Sequence, residues 1–296
     1  MYTKVYVTLS YNRFRVSFGD IFFWRKVFAH VYGKAARGDS NMLILRSAST
    51  LALVLAMSGA TAGAATTPAA KDIVIVHGAL VDGSSWRAVH DILSRDGYHV
   101  TIVQEPLTGL ADDVAATRRA IDRQTGPVVL VGHSYGGSVI TQAGADPKVR
   151  SLVYVAALQP DAGEASGQLL SKFAAPNNAM MAASNPAAPQ DKYLFLPPSK
   201  FRANFAADVP APEAKFLADS QEPVAEKAFG APIAVAAWRT KPSYAILTTE
   251  DHMVSPELQR WMYKRSGSKV TEVSASHAVF ISHPDEVARV IEAAAK

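Results

Sequence analysis

The sequence predicts an α/β fold: a mostly parallel sheet flanked by helices and interrupted once by an inserted cap. Three observations carry this expectation. Short continuous apolar runs, Ile73–Val76, Val128–Val131 and Val149–Ala156, read as strands buried on both faces. Stretches with apolar residues at helical spacing separate them, and this alternation is the signature of a parallel sheet with crossover helices. The alternation then stops at Gln159 and resumes only after Ala237, a stretch too long to be one loop of a compact domain.

The elements follow in order. Ile73–Val76 leads into a loop, His77–Trp86, after which Trp86, Val89 and Leu93 recur at helical spacing until Gly97. Tyr98–Val103 is a second strand. Leu110–Gln124 reads as a helix, with Asp112 and Asp113 in the first turn, where the helix dipole favours them. Val128–Val131 runs into Gly132-His133-Ser134-Tyr135-Gly136-Gly137, and Ser138–Ala143 continues as a helix. From about 159 to 237, alanines, prolines and scattered aromatics (Phe173, Tyr193, Phe195, Phe201, Phe205, Phe216, Phe229) describe an inserted helical cap whose aromatics mostly form its own core. Ser243–Thr248 is again a strand. Ser255-Pro256-Glu257 is a helix start, with serine at the N-cap and proline in the first turn. Lys269–Val273 is the last strand, and Pro284 opens a final helix through Val287, Val290 and Ile291.

Composition narrows the function classes. The 296 residues are 49% hydrophobic and 19% charged, which is globular rather than disordered. The formal charge of +4 is uneven: before residue 65, eight basic residues face only Asp20 and Asp39, so the remainder is slightly acidic. The folded body shows no basic stripe, which argues against nucleic acid as a partner. There is no cysteine, hence no thiol nucleophile, disulfide framework or cysteine metal site. Histidines clustered at metal-ligand spacing are also missing, so neither a metal nor another cofactor is expected.

Residues 42–64 have the order of a secretory signal peptide: Arg46, an apolar stretch from Ala48 to Met57, then small residues with possible cleavage after Ala62 or Ala64. The apolar run falls short of the roughly 20 residues of a spanning helix, so export to the periplasm or medium is expected, with membrane retention if the signal stays uncleaved. Residues 1–41, aromatic and basic without a clean period, form an extension of doubtful status, and Met42 is a candidate start. Residues 65–296 then form the folded domain.

The chemistry concentrates at Gly132–Gly137. A strand, G-x-S-x-G and a helix together make a nucleophile elbow, in which glycines permit a tight turn that lifts Ser134 above the C-terminal edge of the sheet. No phosphate-binding loop pattern is present. A serine hydroxyl needs a base, and the base an orienting acid, and both belong in loops after later strands. His277, after Lys269–Val273, fits the base. Asp251, after Ser243–Thr248, fits the acid, with Glu250 as its main rival and Asp161 and Glu164 as more distant ones. His77 and His133 read as structural or pocket-wall groups, His90 and His99 as surface or packing residues, His252 as wrongly ordered relative to Asp251, and His283 as a helix-start residue. An oxyanion hole would take the backbone N–H of Tyr135 and that of Ala79, with Leu80 as the alternative second donor.

With these residues placed, the chain from about residue 70 onward resembles a small serine α/β-hydrolase, in particular the branch of plant methylesterases, hydroxynitrile lyases and related bacterial esterases. The resemblance rests on His77-Gly78-Ala79 with Asp82-Gly83-Ser84 and Trp86, on the Gly132–Gly137 elbow, and on Thr248-Thr249-Glu250-Asp251 with Pro256–Trp261. It implies the α/β-hydrolase fold, shortened here to about six strands, and it selects Asp251 over Glu250. It also implies carboxylic ester hydrolysis, which the Ser134–His277–Asp251 set would carry through an acyl-enzyme, and the apolar, alanine-rich cap points to a small or medium, largely uncharged acyl or alcohol group. Two departures count against lyase chemistry: Ala278 stands where the lyases carry lysine, and Gly78 where they carry threonine. A non-catalytic small-molecule receptor, or perhydrolase-type activity, is the alternative use of the same fold.

Overall fold

The computed structural model describes residues 69–173, 181–185 and 188–296, together with Ser10–Tyr11 and Phe14–Arg15. The chain divides into two compact units, Met1–Thr66 and Thr67–Lys296. In the first, the described residues are an antiparallel pair of two-residue strands, Ser10–Tyr11 with Phe14–Arg15. The expected signal segment, 42–64, lies outside the described residues. No helix among the described residues is long and apolar enough to cross a membrane.

The second unit is built on a six-stranded sheet. Its strands are β1 (Asp72–Val76), β2 (His99–Val103), β3 (Val128–His133), β4 (Val149–Val155), β8 (Ser243–Thr248) and β9 (Lys269–Val273), with β5–β7 lying in the insertion. The spatial order is β9-β8-β4-β3-β1-β2, and every pairing is parallel, with Ile73 opposite Val129, Val131 opposite Val153, Tyr154 opposite Ala245 and Ile246 opposite Thr271. All residues of β1 and β3 are buried, as the unbroken apolar runs require.

Alternation along the strands divides the core into two layers. Ile73, Ile75, Val129, Val131, Val153, Val155 and Ile246 point to one face. There they meet Trp86, then Val89 and Leu93 of α1 (Arg87–Arg95), and Val287 and Ile291 of α10 (Pro284–Ala295). Val74, Val76, Leu130, Leu152, Tyr154 and Leu247 point to the other. They are covered by α2 (Leu110–Asp122), α3 (Gly136–Ala143) and α8 (Pro256–Ser266). Helix α8 begins as expected: Ser255 Oγ accepts the Leu258 N–H at 3.2 Å, and Pro256 occupies the first turn.

The insertion leaves β4 and returns to its sheet neighbour β8. Among its described residues are four α-helices, α4 (Ser166–Lys172), α5 (Pro198–Phe205), α6 (Ala211–Asp219) and α7 (Glu226–Gly230). The expectation of a purely helical cap needs correction, because a three-stranded antiparallel sheet stands beside these helices. It is made of β5 (Met181–Asn185), β6 (Ala188–Phe195) and β7 (Val224–Ala225). Tyr193-Leu194-Phe195 was the local strand signal, but β7 is two residues long and pairs across α5 and α6, a contact that sequence spacing does not announce. The two ends of the cap are clasped at their root. Gly163 N–H donates to Ile233 O (2.8 Å), Ile233 N–H to Glu164 O (2.9 Å) and Trp238 Nε1–H to Pro160 O (2.8 Å), and Arg239 pairs with Asp161.

Candidate active site

Parallel strands bring their C-terminal ends to one edge, and the loops of interest leave from that edge. The elbow follows β3 directly. Ser134 has φ +52°, the left-handed region that a serine occupies only when its surroundings hold it there. They do so through hydrogen bonds on both sides: Ser134 N–H donates to Val155 O (3.2 Å), while Ser134 O accepts from Gly137 N–H and Leu158 N–H (3.0 Å each). The turn is tight enough that a Cβ on Gly136 would stand 2.5 Å from His77 O. Across the loop, a Cβ on Gly78 would come within 2.9 Å of Ser134 Cβ, so glycine lets the loop after β1 approach the serine.

His277 lies on the loop after β9, and its Nδ1 is 2.8 Å from Asp251 Oδ2; both side chains are fully buried. Asp251 is held by many donors. Oδ1 accepts from Met253 N–H (2.8 Å) and Val254 N–H (2.9 Å), and Oδ2 from Thr248 Oγ1–H (2.8 Å) and Gln259 Nε2–H (3.1 Å). These donors fix the carboxylate in place, so that it can orient the imidazole through Nδ1. Its rival Glu250 is exposed and accepts from Ser274 Oγ–H. Asp161 and Glu164 are engaged with Arg239 and Arg265 at the cap root.

His277 Nε2 is buried and has no hydrogen-bond partner among the described residues. Ser134 Oγ therefore does not bond to it in this state, but Ser134 and His277 line one pocket. Ala79, Leu80, Leu158, Leu170, Phe205, Phe229, Met253 and Val254 complete its wall. Every one of these side chains is apolar, so among the described residues Ser134 and His277 supply its only polar side chains. Ala79 thus reaches the pocket, and Leu80, the alternative donor, stands beside it at φ +68°. Tyr135 is the N-cap residue of α3, where backbone N–H groups lack intrahelical acceptors. Among the described residues, neither the Ala79 nor the Tyr135 N–H donates to a protein acceptor.

The remaining histidines separate by partner. His77 Nδ1–H donates to Gly78 O (2.9 Å) and Nε2 accepts from Glu105 N–H (3.0 Å), a fixed neutral tautomer whose pKa burial holds down. His133 Nε2–H donates to His277 O (3.1 Å), and burial pushes its pKa well below the usual range. His252 Nδ1–H donates to Ala203 O, and His283 lies beside Ser282. None of these bonds to Ser134 or Asp251.

Sequence reasoning missed Gln259, although it lies inside the segment used to choose the acid. Its Nε2 donates to Asp251 Oδ2, Thr248 Oγ1 and Val254 O, and its Oε1 accepts the Thr248 N–H. The available signal was its spacing from Ser255, one helical turn into α8 on the side facing the acid loop. Of the cap aromatics, Phe205 and Phe229 line the pocket, while Phe201 stacks on Phe205 and Phe216 is exposed.

Residues 73–290 match the alpha/beta hydrolase family, and the chain belongs to that family. Its relatives include named esterases. The carbendazim hydrolyzing esterase of Nocardioides sp. (strain SG-4G) is 26% identical over 249 residues, covering 75% of this chain and 98% of that protein. Methylesterase 8 of Arabidopsis thaliana is 26% identical over 217 residues, covering 65% of this chain and 76% of that protein. The crystal structure of polyneuridine aldehyde esterase superposes with a TM-score of 0.66 at 19% identity, covering 77% of this chain and 100% of that one, a likeness of fold.

Proposed function

We propose that the protein is a serine carboxylic ester hydrolase acting on neutral, largely apolar esters of small to medium size. Ser134 Oγ attacks the ester carbonyl while His277 Nε2 takes its proton. Asp251 holds the imidazole with Nδ1 toward the carboxylate and offsets the positive charge that develops on the ring. The Ala79 and Tyr135 N–H groups receive the oxyanion. His277 then protonates the leaving alcohol, the acyl-enzyme forms, and water repeats the cycle.

One observation carries this reading: a serine on a strained elbow and a buried Asp251–His277 pair open onto the same apolar pocket, and His277 Nε2 has no other protein partner. Among the described residues the pocket wall carries no cationic side chain that would compensate a charged acyl group. The names of the relatives, an esterase and a methylesterase, fit the same chemistry.

The test is hydrolysis of p-nitrophenyl esters from acetate to octanoate, with Ser134→Ala and Asp251→Asn beside the wild type. Turnover is expected to vanish in Ser134→Ala and to drop by about 10⁴-fold in kcat in Asp251→Asn, where the imidazole loses its orienting carboxylate. Ester turnover that survives in Ser134→Ala would overturn the assignment, and saturable binding without turnover would favour a receptor on the same fold.

A further inference from the structure

The segment 274–278, which carries His277, lies between β9 and the short helix α9 (Val279–Ser282), outside both. Asp251 fixes one ring nitrogen, but the position of the ring also depends on what holds the backbone beneath it. Two backbone contacts come from the body: His133 Nε2–H donates to His277 O at 3.1 Å and Glu250 N–H to Ala275 O at 3.2 Å. The others come from the cap. Ala278 N–H donates to Phe205 O at 3.0 Å, and the Phe205 ring stands edge-on to the His277 ring at 4.9 Å between centroids. Asp208, in the turn between α5 and α6, takes both donors of the residue before the histidine: Ser276 N–H reaches Oδ2 at 3.2 Å, and Ser276 Oγ–H reaches Oδ1. Ser276 Oγ in turn accepts the Ala278 N–H at 3.3 Å, so the carboxylate and the two residues flanking His277 form one connected set.

We propose that Asp208 is a positioning residue for the reaction: from the cap, acting through Ser276, it sets the place of the His277 imidazole against Ser134. The proposal rests on the reading of Ser134, His277 and Asp251 given above. Three features support it. The Asp208 side chain is 25% exposed, and although burial pushes its carboxyl up, hydrogen bonds from Ser276 and Ser282 outweigh this and hold it below the ordinary aspartate range. His283 Nδ1 stands 3.8 Å from Asp208 Oδ2, beyond hydrogen-bond distance, so it does not compete with the Ser276 N–H for that oxygen. Finally, both carboxyl oxygens of Asp208 accept from Ser276, the residue whose backbone leads directly into His277, so a loss there is felt at the base.

The experiment is steady-state kinetics on a p-nitrophenyl ester with the full chain and four variants: Asp208→Ala, Ser276→Ala, the double variant, and Asp208→Asn. In Asp208→Ala and in Ser276→Ala, kcat is expected to fall about 10- to 100-fold with KM unchanged, the size of loss that a small misplacement of a reacting group produces. The double variant should be no slower than the slower single one, because both act through one connection. Asp208→Asn should recover most of the rate, since its amide can still accept the Ser276 N–H and donate to the hydroxyl. A rise in KM at constant kcat, unchanged kinetics, or additive losses in the double variant would each overturn the proposal. If Asp208→Ala does not fold, Ser276→Ala and Asp208→Asn carry the same test. Absence of turnover in the wild type would instead refute the hydrolase reading itself.

Discussion

Ser134 spends conformational energy to stand where it does. A non-glycine residue at φ +52° costs about 1–3 kcal/mol, and the hydrogen bonds of its N–H and C=O to β4 and to the segment beyond it keep the conformation in place. The strain is local, and its product is an Oγ lifted out of the sheet toward the pocket that His277 lines. A second buried residue carries a different load. Both carboxyl oxygens of Glu105 lack a hydrogen-bond partner among the described residues, and burial, reinforced by nearby Asp113, pushes its pKa well above the usual range. In the folded protein the group therefore keeps its proton at pH values where the unfolded chain has released it. The unfolded state then binds fewer protons, so stability falls as pH rises above about 4.5, the ordinary glutamate value, until the folded-state pKa is reached. Glu105→Gln removes this dependence. The gap in thermal midpoint between Glu105→Gln and wild type is expected to move in favour of the variant from pH 5 to pH 8, and a gap that does not change with pH would show that Glu105 is not the protonated group.

At the scale of elements, the cap does two jobs at one place. Phe205 at the end of α5 and Phe229 in α7 close the pocket, and Phe229 also lies 5.2 Å from the Tyr135 ring. Tyr135 in turn ties the elbow to α2, its hydroxyl donating to Asp113 Oδ2 at 2.7 Å, while Asp113 Oδ1 accepts the Leu107 N–H. Burial raises the Asp113 pKa to about 6 despite these donors. Because Phe229 bounds the pocket without touching the Asp251–His277 pair, Phe229→Ala is expected to lengthen the preferred acyl chain while kcat on the best ester stays near wild type. Profiling kcat/KM across the p-nitrophenyl series checks this, and an unchanged optimum would show that another wall sets the size. The sequence made much of this legible and some of it not. Ser134, Asp251 and His277 were readable because each follows a recognisable apolar strand, and parallel strands deliver their following loops to one edge. Gln259, Asp208 and the pocket aromatics were not, because their partners lie far off in sequence: Asp208 meets Ser276, and Gln259 meets Asp251 only once α8 has docked. The small cap sheet escaped notice for the same reason, its pairing of Leu194 with Val224 being non-local.

At the scale of the whole molecule, the match to the family and every residue of the candidate site fall within Thr67–Lys296. A protein beginning at Ala65 is therefore expected to fold and to hydrolyse esters with the kcat/KM of the full chain, and a large loss on truncation would show that earlier residues belong to the working enzyme. Export, the consequence of reading 42–64 as a cleaved signal, is proposed on sequence grounds, and the N-terminus of the mature protein, at Gly63 or Ala65, is the observation that tests it.

The clasp at the cap root has a consequence beyond rigidity. Because Gly163, Glu164 and Ile233 hold the two ends of the insertion side by side, the sheet does not register how much chain lies between them. Closing a longer or shorter excursion changes the entropy only logarithmically with its length. The length of the segment from 166 to 231 is thus free to vary without disturbing the clasp or the strands beneath it. A replacement would still have to supply an acceptor for the Ala278 N–H, as Phe205 O does now, and a partner for Ser276 where Asp208 stands.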